Sequence, residues 1–303
     1  MSKILVSGLI NIETTLLIEG FPVDYSPVRY PFYGVNSSVA GVGYNIARAL
    51  TVLGNQVNFL SLNGRDISGK LVREALIRDR IPGYYVLESL DRVAQAVILY
   101  EKSGRRQINT DLKDIQDQTY PNDLFDRALE ESSLAVLCNI NFSRPFLVKA
   151  RQAGKLIATD VHAISSLDDE YNRDFMQHAD ILFMSHELLP TSPEEWAWQV
   201  LNRYGNEIIV IGMGSQGALL SVKKDRFMQR IPAVVTRPVV NSIGAGDALF
   251  SAFVHSYNRK RDPYEAIKKA VLFASYKIGV EGAAEGFLDE KSLEALYASR
   301  NHR

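Results

Sequence analysis

Short apolar runs that recur between amphipathic stretches constrain the fold of this chain more than any other feature. The runs lie at residues 4–6, 57–62, 135–138, 156–159, 181–184 and 208–211. Runs of this kind are typical of strands that are buried on both faces of a parallel sheet. Stretches with helical periodicity lie between several of them, at residues 45–53, 69–77 and 247–257. The alternation predicts a layered α/β fold built on a mostly parallel sheet.

Two segments interrupt this alternation, at about residues 14–38 and 93–108. In the second segment an apolar run at 94–100 meets a polar turn at 102–105. We expect both segments to add antiparallel strands on one side of the main sheet. Such strands would serve as a lid that excludes water from a ligand cleft, or as an edge through which two copies of the chain form a homodimer. Both interpretations stay open, and one domain over residues 1–303 carrying this small lid is predicted.

The overall charge argues against several classes of partner. The chain has 34 basic and 35 acidic residues and a net charge of -1, so no electrostatic surface for nucleic acid or for an anionic membrane is expected. The single cysteine, Cys138, lies in an apolar run and has no partner for an intramolecular disulfide. The polar residues Asn11 and Glu13 interrupt the first apolar run too early for a signal peptide or a membrane span. These features predict a cytoplasmic protein.

Residues 241–247, which read Asn-Ser-Ile-Gly-Ala-Gly-Asp, carry the strongest chemical signal. They follow the run 234–240, for which we expect a strand, and they precede a helical pattern. Gly244, Ala245 and Gly246 let backbone N–H groups approach an anion, and the start of a helix adds positive partial charge. Asp247 then lies where it can accept a proton from a hydroxyl while this loop holds a phosphoryl group. An isolated aspartate at a helix start is more often only a cap or a dipole partner.

This segment resembles the Asp-Thr-x-Gly-Ala-Gly-Asp signature of the ribokinase-like (PfkB) carbohydrate kinase family. The resemblance implies a three-layer α/β fold with a small β lid, ATP and Mg²⁺ as cofactors, Asp247 as the catalytic base, and an anion hole at residues 244–246. Asn241 and Ser242 stand where the family has Asp and Thr. The requirement for a monovalent cation therefore stays open.

Further blocks resemble the family's substrate-binding motifs. Gly41 and Gly43 stand in a block that matches its Gly-Gly-x-Gly-x-Asn pattern in the last glycine and in Asn45. The amide of Asn45 both donates and accepts hydrogen bonds, which suits vicinal hydroxyls, although a glycine turn with Asn45 as a helix N-cap is the simpler interpretation of this block alone.

Residues 8–13 resemble the family's Gly-x-x-Asn-x-Asp, with Asn11 in place and Glu13 one methylene longer than the usual acid. Asn141 stands where relatives place a polar contact to the substrate, after the run that ends at Cys138. These residues complete the predicted substrate pocket.

Residues 212–217 spell Gly-x-Gly-x-x-Gly, the dinucleotide-binding fingerprint. That fingerprint should open a helix and be followed about 20 residues later by an acid. Residues 218–222 instead have an extended pattern, and position 237 is Arg237, so a dehydrogenase is not predicted. In the resembled family this position is a turn between strands that lines the ATP pocket. The predicted ATP contacts are Gly212, Gly214, Ser215, Gly217, Ser185, Asn241, Ser242 and Gly282.

The family's Asn-x-x-Glu motif, which organises water around Mg²⁺, is not intact here. It aligns with residues 185–188, where Glu187 is the candidate metal-site residue and His186 beside it is interpreted as a loop residue. The resemblance as a whole implies ATP-dependent phosphorylation of a hydroxyl group on a small sugar or sugar-like substrate. A nucleoside kinase with the same fold and a ligand-sensing homologue that has lost catalysis remain the alternatives.

Overall fold

A computed structural model describes residues 3–301. The strands are β1 (Lys3–Ser7), β2 (Asn11–Leu17), β3 (Val35–Ala40), β4 (Gln56–Gly64), β5 (Val86–Leu90), β6 (Gln95–Tyr100), β7 (Arg106–Asp111), β8 (Ser132–Leu137), β9 (Leu156–Ala163), β10 (Ile181–Ser185), β11 (Ile208–Gly212), β12 (Ala218–Val222) and β13 (Phe227–Ile231). The helices are α1 (Val42–Val52), α2 (Ile67–Arg78), α3 (Asn122–Glu130), α4 (Arg144–Gln152), α5 (Arg173–His178), α6 (Pro193–Tyr204), α7 (Ala245–Lys260), α8 (Pro263–Lys277) and α9 (Glu290–Asn301).

The larger sheet has nine strands over residues 3–301, in the order β13-β12-β11-β10-β9-β8-β1-β4-β5. Every pair from β11 to β5 is parallel, whereas β12 and β13 are added antiparallel at one edge. The six apolar runs form β1, β4, β8, β9, β10 and β11. The prediction of a mostly parallel sheet is therefore confirmed.

Alternate residues of the central strands point to opposite faces of the sheet, and each face is covered by helices. Ile4 and Val6 of β1 pack in a core layer with α1, α7 and α8, whereas Leu5 packs in a second layer with α3, α4 and α6. This alternation explains why the strands are apolar throughout, because both faces are buried. The result is the predicted three-layer arrangement.

The two segments that interrupt the alternation of strands and helices form a separate sheet, in the order β3-β2-β6-β7. The outer pairs are antiparallel as expected, but the central pair, β2 with β6, is parallel. The expectation of purely antiparallel strands is wrong because β2 and β6 come from distant parts of the chain and enter this sheet in the same direction. Ala40 and Ile98 of this lid pack against Ile243 and Ala283 of the main body.

Residues 234–240 do not form the expected strand. No strand is assigned between Ile231 and Ala245, and the backbone N–H of Val240 donates to the carbonyl of Ile278 at 2.8 Å. The valines in this stretch have high β propensity, but that propensity reflects packing on a sheet, and here there is no neighbouring strand to pair with. The loop that precedes α7 is consequently held by the end of α8. Within residues 3–301, no helix is long and apolar enough to cross a bilayer.

Candidate active site

The candidate site lies where the strand order reverses. The neighbours of β1 are β4 on one side and β8 on the other, and in such sheets ligands bind beyond the carboxyl ends of the strands at this reversal. The backbones approach closely there. A Cβ atom on Gly8 would lie 2.6 Å from Cys138 Sγ, and one on Gly43 would lie 2.5 Å from the carbonyl carbon of Gly8. Glycine at both positions lets the start of α1 reach the end of β1.

Helix α7 begins directly over this crevice. Its N-cap is Gly244, with φ 74°, and a Cβ atom there would lie 2.3 Å from the carbonyl oxygen of Ala283. Ala245 N–H donates to the carbonyl of Ser242 at 3.2 Å, which closes the turn. Only glycine meets both the left-handed conformation and the contact with Ala283.

The next glycine faces open space. Around the position of a Cβ atom on Gly246 there is no heavy atom within 4 Å beyond its own helix and chain neighbours. Gly246 is in the first turn of α7, where backbone N–H groups have no carbonyl of the same helix to bond to. An anion at this place would meet both those N–H groups and the positive end of the helix.

Asp247 follows in the same turn and contacts α1. Asn45 Nδ2 donates to Asp247 Oδ2 at 2.7 Å, across 202 positions of sequence. Burial raises the pKa of Asp247 to about 6, although the hydrogen bond from Asn45 and the charge of His162 favour the ionised form. The residue is partly exposed. Asp247 is therefore a carboxylate with a raised pKa that remains accessible to a ligand.

Buried polar atoms without partners lie beside it. Asn11 Oδ1, Glu13 Oε1 and Asn45 Oδ1 have no hydrogen-bond partner among the described residues. Burial is the main cause that raises the pKa of Glu13 to about 7, the charge of Asp247 adds to the rise, and the charge of Lys277 opposes it. Such atoms are costly when left unpaired, so their presence together indicates a site for a polar ligand.

The alternative interpretation of Asn45 as a helix N-cap is wrong. Helix α1 begins at Val42, its N-cap is Gly41, and Asn45 is a buried residue inside the helix. Gly41 has φ 103°, and a Cβ atom there would lie 2.7 Å from the carbonyl oxygen of Leu9. The side chain of Asn45 is thus free of capping and directed to Asp247.

Asn141 is hydrogen-bonded to other parts of the protein. Its Nδ2 donates to the carbonyl of Gln116 at 3.0 Å, and its Oδ1 accepts from Arg144 at 3.3 Å. Because both ends of the amide are engaged inside the protein, we leave Asn141 out of the proposed pocket.

Asp160 and His162, which the sequence analysis did not single out, lie near Asp247. Their charges act on its pKa, Asp160 raising it and His162 lowering it. His162 has φ 59° near an irregularity in the pairing of β9 with β10, and its N–H donates to Asp160 Oδ1 at 2.8 Å. A histidine whose backbone is in the left-handed region interrupts the regular alternation of side chains along a strand, as β-bulges near functional sites do. The only sequence signal for these two residues was the pattern Asp-x-His directly after an apolar run.

The predicted nucleotide contacts lie along the ends of β10 and β11. Ser185 and Gly212 are paired at the carboxyl ends of these strands, and Gly214 and Ser215 are exposed in the turn that follows. A Cβ atom on Gly217 would lie 2.0 Å from the carbonyl oxygen of Ile231, so this glycine allows the chain to pass into β12. The segment contains only a three-residue 3₁₀ helix, Gly214–Gln216, and leads into β12 rather than into an α-helix, so it lacks the structural context of the dinucleotide fingerprint.

A lid arginine reaches across the cleft to this region. Arg106, the first residue of β7, donates to Ser242 Oγ at 3.1 Å and lies 3.5 Å from Glu187 Oε1. Glu187 is exposed, and within residues 3–301 no group of three or more His, Cys, Asp or Glu residues is arranged to hold a metal ion.

The two remaining predicted residues lie in two loops that one lysine joins. Asn241 Oδ1 accepts from Ile243 N–H at 3.1 Å, and the carbonyl of Gly282 accepts from Lys277 Nζ at 2.6 Å. Lys277 Nζ also donates to the carbonyl of Ile243. Asn241 and Gly282 thus lie in the two loops that Lys277 joins, at the edge of the anion cradle.

Comparison with known proteins identifies the family. The sequence profile of the pfkB family carbohydrate kinases matches residues 1–291. This chain belongs to that family. Among curated relatives, acarbose 7(IV)-phosphotransferase from an Actinoplanes species is 23% identical over 296 residues, which cover 96% of this chain and 97% of the relative. The prediction of a phosphotransferase with an alcohol group as acceptor is confirmed at the level of the family.

Solved structures show the same fold for this PfkB kinase. A microbiome-derived acarbose kinase, Mak1, superposes with a TM-score of 0.87 at 24% identity, covering 98% of this chain and 99% of that one. Arabidopsis thaliana ribokinase, solved with ribose and ATP, has a TM-score of 0.80 at 20% identity and 98% coverage of both chains. The Burkholderia thailandensis nucleoside kinase with inosine has a TM-score of 0.79 at 17% identity, covering 98% and 97%. The predicted ribokinase-like fold is confirmed.

Proposed function

We propose that this PfkB kinase transfers the γ-phosphoryl group of ATP to a hydroxyl of an uncharged sugar, with Asp247 as the catalytic base. The observation that carries the proposal is the arrangement at the start of α7. A carboxylate with a raised pKa lies one residue after Gly246, which faces open space, and contacts Asn45, whose second amide atom is buried and unpaired. A base and an anion cradle are the groups that in-line phosphoryl transfer requires.

In this proposal the acceptor sugar lies between the lid and the start of α1. Asn11, Glu13 and Asn45 supply the unpaired polar atoms that receive its hydroxyls, with Gly41 and Gly43 allowing close approach of the backbone. Asp247 takes the hydroxyl proton as the oxygen forms its bond to the γ-phosphorus. The bond from that phosphorus to the bridging oxygen breaks, and ADP leaves with both electrons.

The donor lies along the ends of β10 and β11, over Ser185, Gly212, Gly214, Ser215 and Gly217. Its γ-phosphate would reach the N–H groups of residues 244–246, where negative charge is stabilised without reorganisation. Mg²⁺ would neutralise the phosphates, and Glu187 is the nearby exposed carboxylate available to its water shell. Arg106 would exchange Ser242 and Glu187 for the phosphate when the nucleotide binds.

The charges near Asp247 favour an uncharged acceptor over a sugar phosphate. The charge of Asp247 adds to the raised pKa of Glu13, and the charge of Asp160 adds to the raised pKa of Asp247, so acidic groups surround the acceptor position. A second phosphate there would meet like charge. Lys277 is a buried cation whose charge acts on Glu13 and Asp247, but its described hydrogen bonds are directed to main-chain carbonyls.

A nucleoside kinase is the second candidate because the lid carries exposed aromatic side chains. Tyr30 and Phe32 stack with ring centroids 6.3 Å apart, and Tyr33 is fully exposed. Aromatic faces suit both nucleobases and sugar rings.

The test is a substrate panel of neutral sugars, glycosides, sugar phosphates and nucleosides with ATP·Mg²⁺, in which ADP and the phosphate ester are both measured. Ester formed from neutral sugars and abolished by Asp247→Asn supports the proposal. Ester formed only from nucleosides favours the second candidate. ATP and ligand binding without ester for any acceptor would identify a sensor and overturn the proposal.

A further inference from the structure

Lys277 is the last residue of α8, and its side chain is fully buried. Its ammonium donates to the carbonyl of Ile243, in the loop before α7, and to the carbonyl of Gly282 at 2.6 Å, in the loop after α8. A buried ammonium normally pairs with a carboxylate, because an unpaired charge is costly away from water. The hydrogen bonds described for Lys277 go instead to main-chain carbonyls of two loops.

A second buried lysine on the same helix shows the ordinary arrangement. Lys269 lies eight positions earlier and is also almost fully buried, but it forms ion pairs with Glu265 at 2.5 Å and with Glu294. The carboxylates that act on Lys277 do so through longer-range charge, namely Asp247, Glu13 and Glu285, while the Arg237 guanidinium opposes them. The two lysines therefore differ in coordination and not in burial.

Backbone carbonyls around a buried positive charge are the coordination that proteins offer to K⁺ and similar monovalent cations. The position of Lys277 at the carboxyl end of α8 adds the negative end of the helix dipole. Burial lowers the pKa of Lys277 to about 8 and the surrounding carboxylates oppose that fall, so the ammonium is the main form at neutral pH. Lys277 therefore resembles a bound monovalent ion in its charge, in its carbonyl partners and in its position at the carboxyl end of a helix.

The consequence for the anion cradle follows from peptide geometry. A trans peptide directs its C=O and its N–H to opposite sides, so holding the Ile243 carbonyl toward Lys277 turns the N–H of Gly244 away from it. Asn241 Oδ1 accepts from the N–H of Ile243 at 3.1 Å and fixes the preceding peptide as well. The orientation of the first N–H in the cradle thus depends on Lys277.

We propose that the Lys277 ammonium is a tethered monovalent cation that joins the loops 241–244 and 278–286 and sets the anion cradle, so that this kinase requires no dissolved monovalent ion. Lys277 is a positioning residue, since it acts through the Ile243 peptide. The absence of a carboxylate at Asn241 agrees with this, because no acidic side chain at that position is left to bind an added cation. The proposal rests on the proposed kinase function.

The first experiment measures wild-type turnover with ATP·Mg²⁺ in buffers whose monovalent cation is tetramethylammonium, potassium, sodium or ammonium. We expect kcat to change by less than about twofold among them. The second uses Lys277→Ala, with Lys269→Ala as the matched control on the same helix. We expect Lys277→Ala to lower kcat about 100-fold, as loss of an oxyanion-stabilising group does, and ammonium or potassium to restore at least about tenfold. Lys269→Ala should show no such ion response.

Thermal melting supplies a readout that does not depend on turnover. The melting temperature of Lys277→Ala should rise with ammonium or potassium concentration, since an ion that binds only the folded state stabilises it, while that of Lys269→Ala should not. If ions raise the melting temperature of Lys277→Ala but the wild-type protein has no kinase activity, the proposed function is refuted and the cation site is retained. Wild-type turnover that collapses without potassium, or a Lys277→Ala variant with unchanged kcat, overturns the proposal. If Lys277→Ala does not fold, the wild-type ion series decides.

Discussion

Replacing Asp247 by asparagine should greatly lower turnover and at the same time stabilise the protein. Asp247 is held in a site where burial raises its pKa from the ordinary 3.8 to about 6. Because its pKa is higher in the folded protein than in the unfolded chain, the folded state binds this proton more tightly. The ionised carboxylate therefore costs stability, and the cost is absent well below pH 4 and complete above about pH 6.

The magnitude follows from the shift. A pKa change of this size corresponds to about 3 kcal/mol at pH 8, and partial exposure of the side chain makes that an upper value. Asparagine keeps an oxygen that can accept from Asn45 Nδ2, so the contact at 2.7 Å is retained without the charge. We expect the free energy of unfolding to rise by about 1–3 kcal/mol at pH 8 and by about half as much at pH 5.

The assay is urea unfolding of both proteins at the two pH values, together with steady-state kcat. Loss of a catalytic base should lower kcat by about 10²–10⁴-fold. The matched control is Asp262→Asn, since Asp262 also stands at a helix start but caps the N–H groups of Tyr264 and Glu265 at 2.9 and 3.1 Å. That variant should leave kcat unchanged. An Asp247→Asn protein that is less stable at pH 8, or that keeps its kcat, would refute the reasoning and return Asp247 to the role of a helix-start residue.

Other outcomes follow from the same site. The wild-type kcat/KM should fall about tenfold per pH unit below about pH 6, because only ionised Asp247 accepts a proton; a profile that is flat to pH 5 contradicts this assignment. Gly246→Ala should keep or raise the melting temperature, since its methyl enters open space in a helix, while lowering kcat at least about tenfold by obstructing the phosphate. Gly244→Ala should instead lower the melting temperature, because of φ 74° and the 2.3 Å contact with Ala283, and equal melting of the two variants would argue against the cradle geometry. Arg106→Gln should raise the KM for ATP with little change in stability, as for other exposed ion pairs, and an unchanged KM would remove Arg106 from the donor site.

The regular part of the fold was accessible from the sequence because both faces of the central strands are buried. Continuous apolar runs then mark each strand, and β1, β4 and β8 to β11 all appear where such runs occur. The contact between Asn45 and Asp247 follows from two separate motifs, each at the start of a helix, that had to meet at one end of the sheet. Motif resemblance thus supplied the long-range information that periodicity lacks.

The errors arose where neighbours decide the conformation. Residues 234–240 have strand-like composition, but the N–H of Val240 donates to the carbonyl of Ile278 at the end of α8, and the N–H of Thr236 donates to Ser275 Oγ of α8. The parallel pairing of β2 with β6 depends on the direction in which distant segments enter the lid, which composition does not encode. The sequence did not single out Lys277, because Lys277 and Lys269 are both lysines in the apolar pattern of α8. Only the structure shows that Lys269 forms an ion pair whereas Lys277 donates to main-chain carbonyls.

The anion loop lies outside regular structure, yet catalysis by oriented N–H groups requires that they do not reorganise during transfer. Contacts from separate elements fix it: Lys277 of α8 holds the Ile243 carbonyl, Asn241 holds the Ile243 N–H, and Arg106 of the lid holds Ser242 Oγ. The first two contacts come from the main body, and the third comes from the lid. Since two of the three come from the body, we expect the loop to keep its shape when Arg106 turns from Ser242 to the phosphate, as the proposed binding of the donor requires.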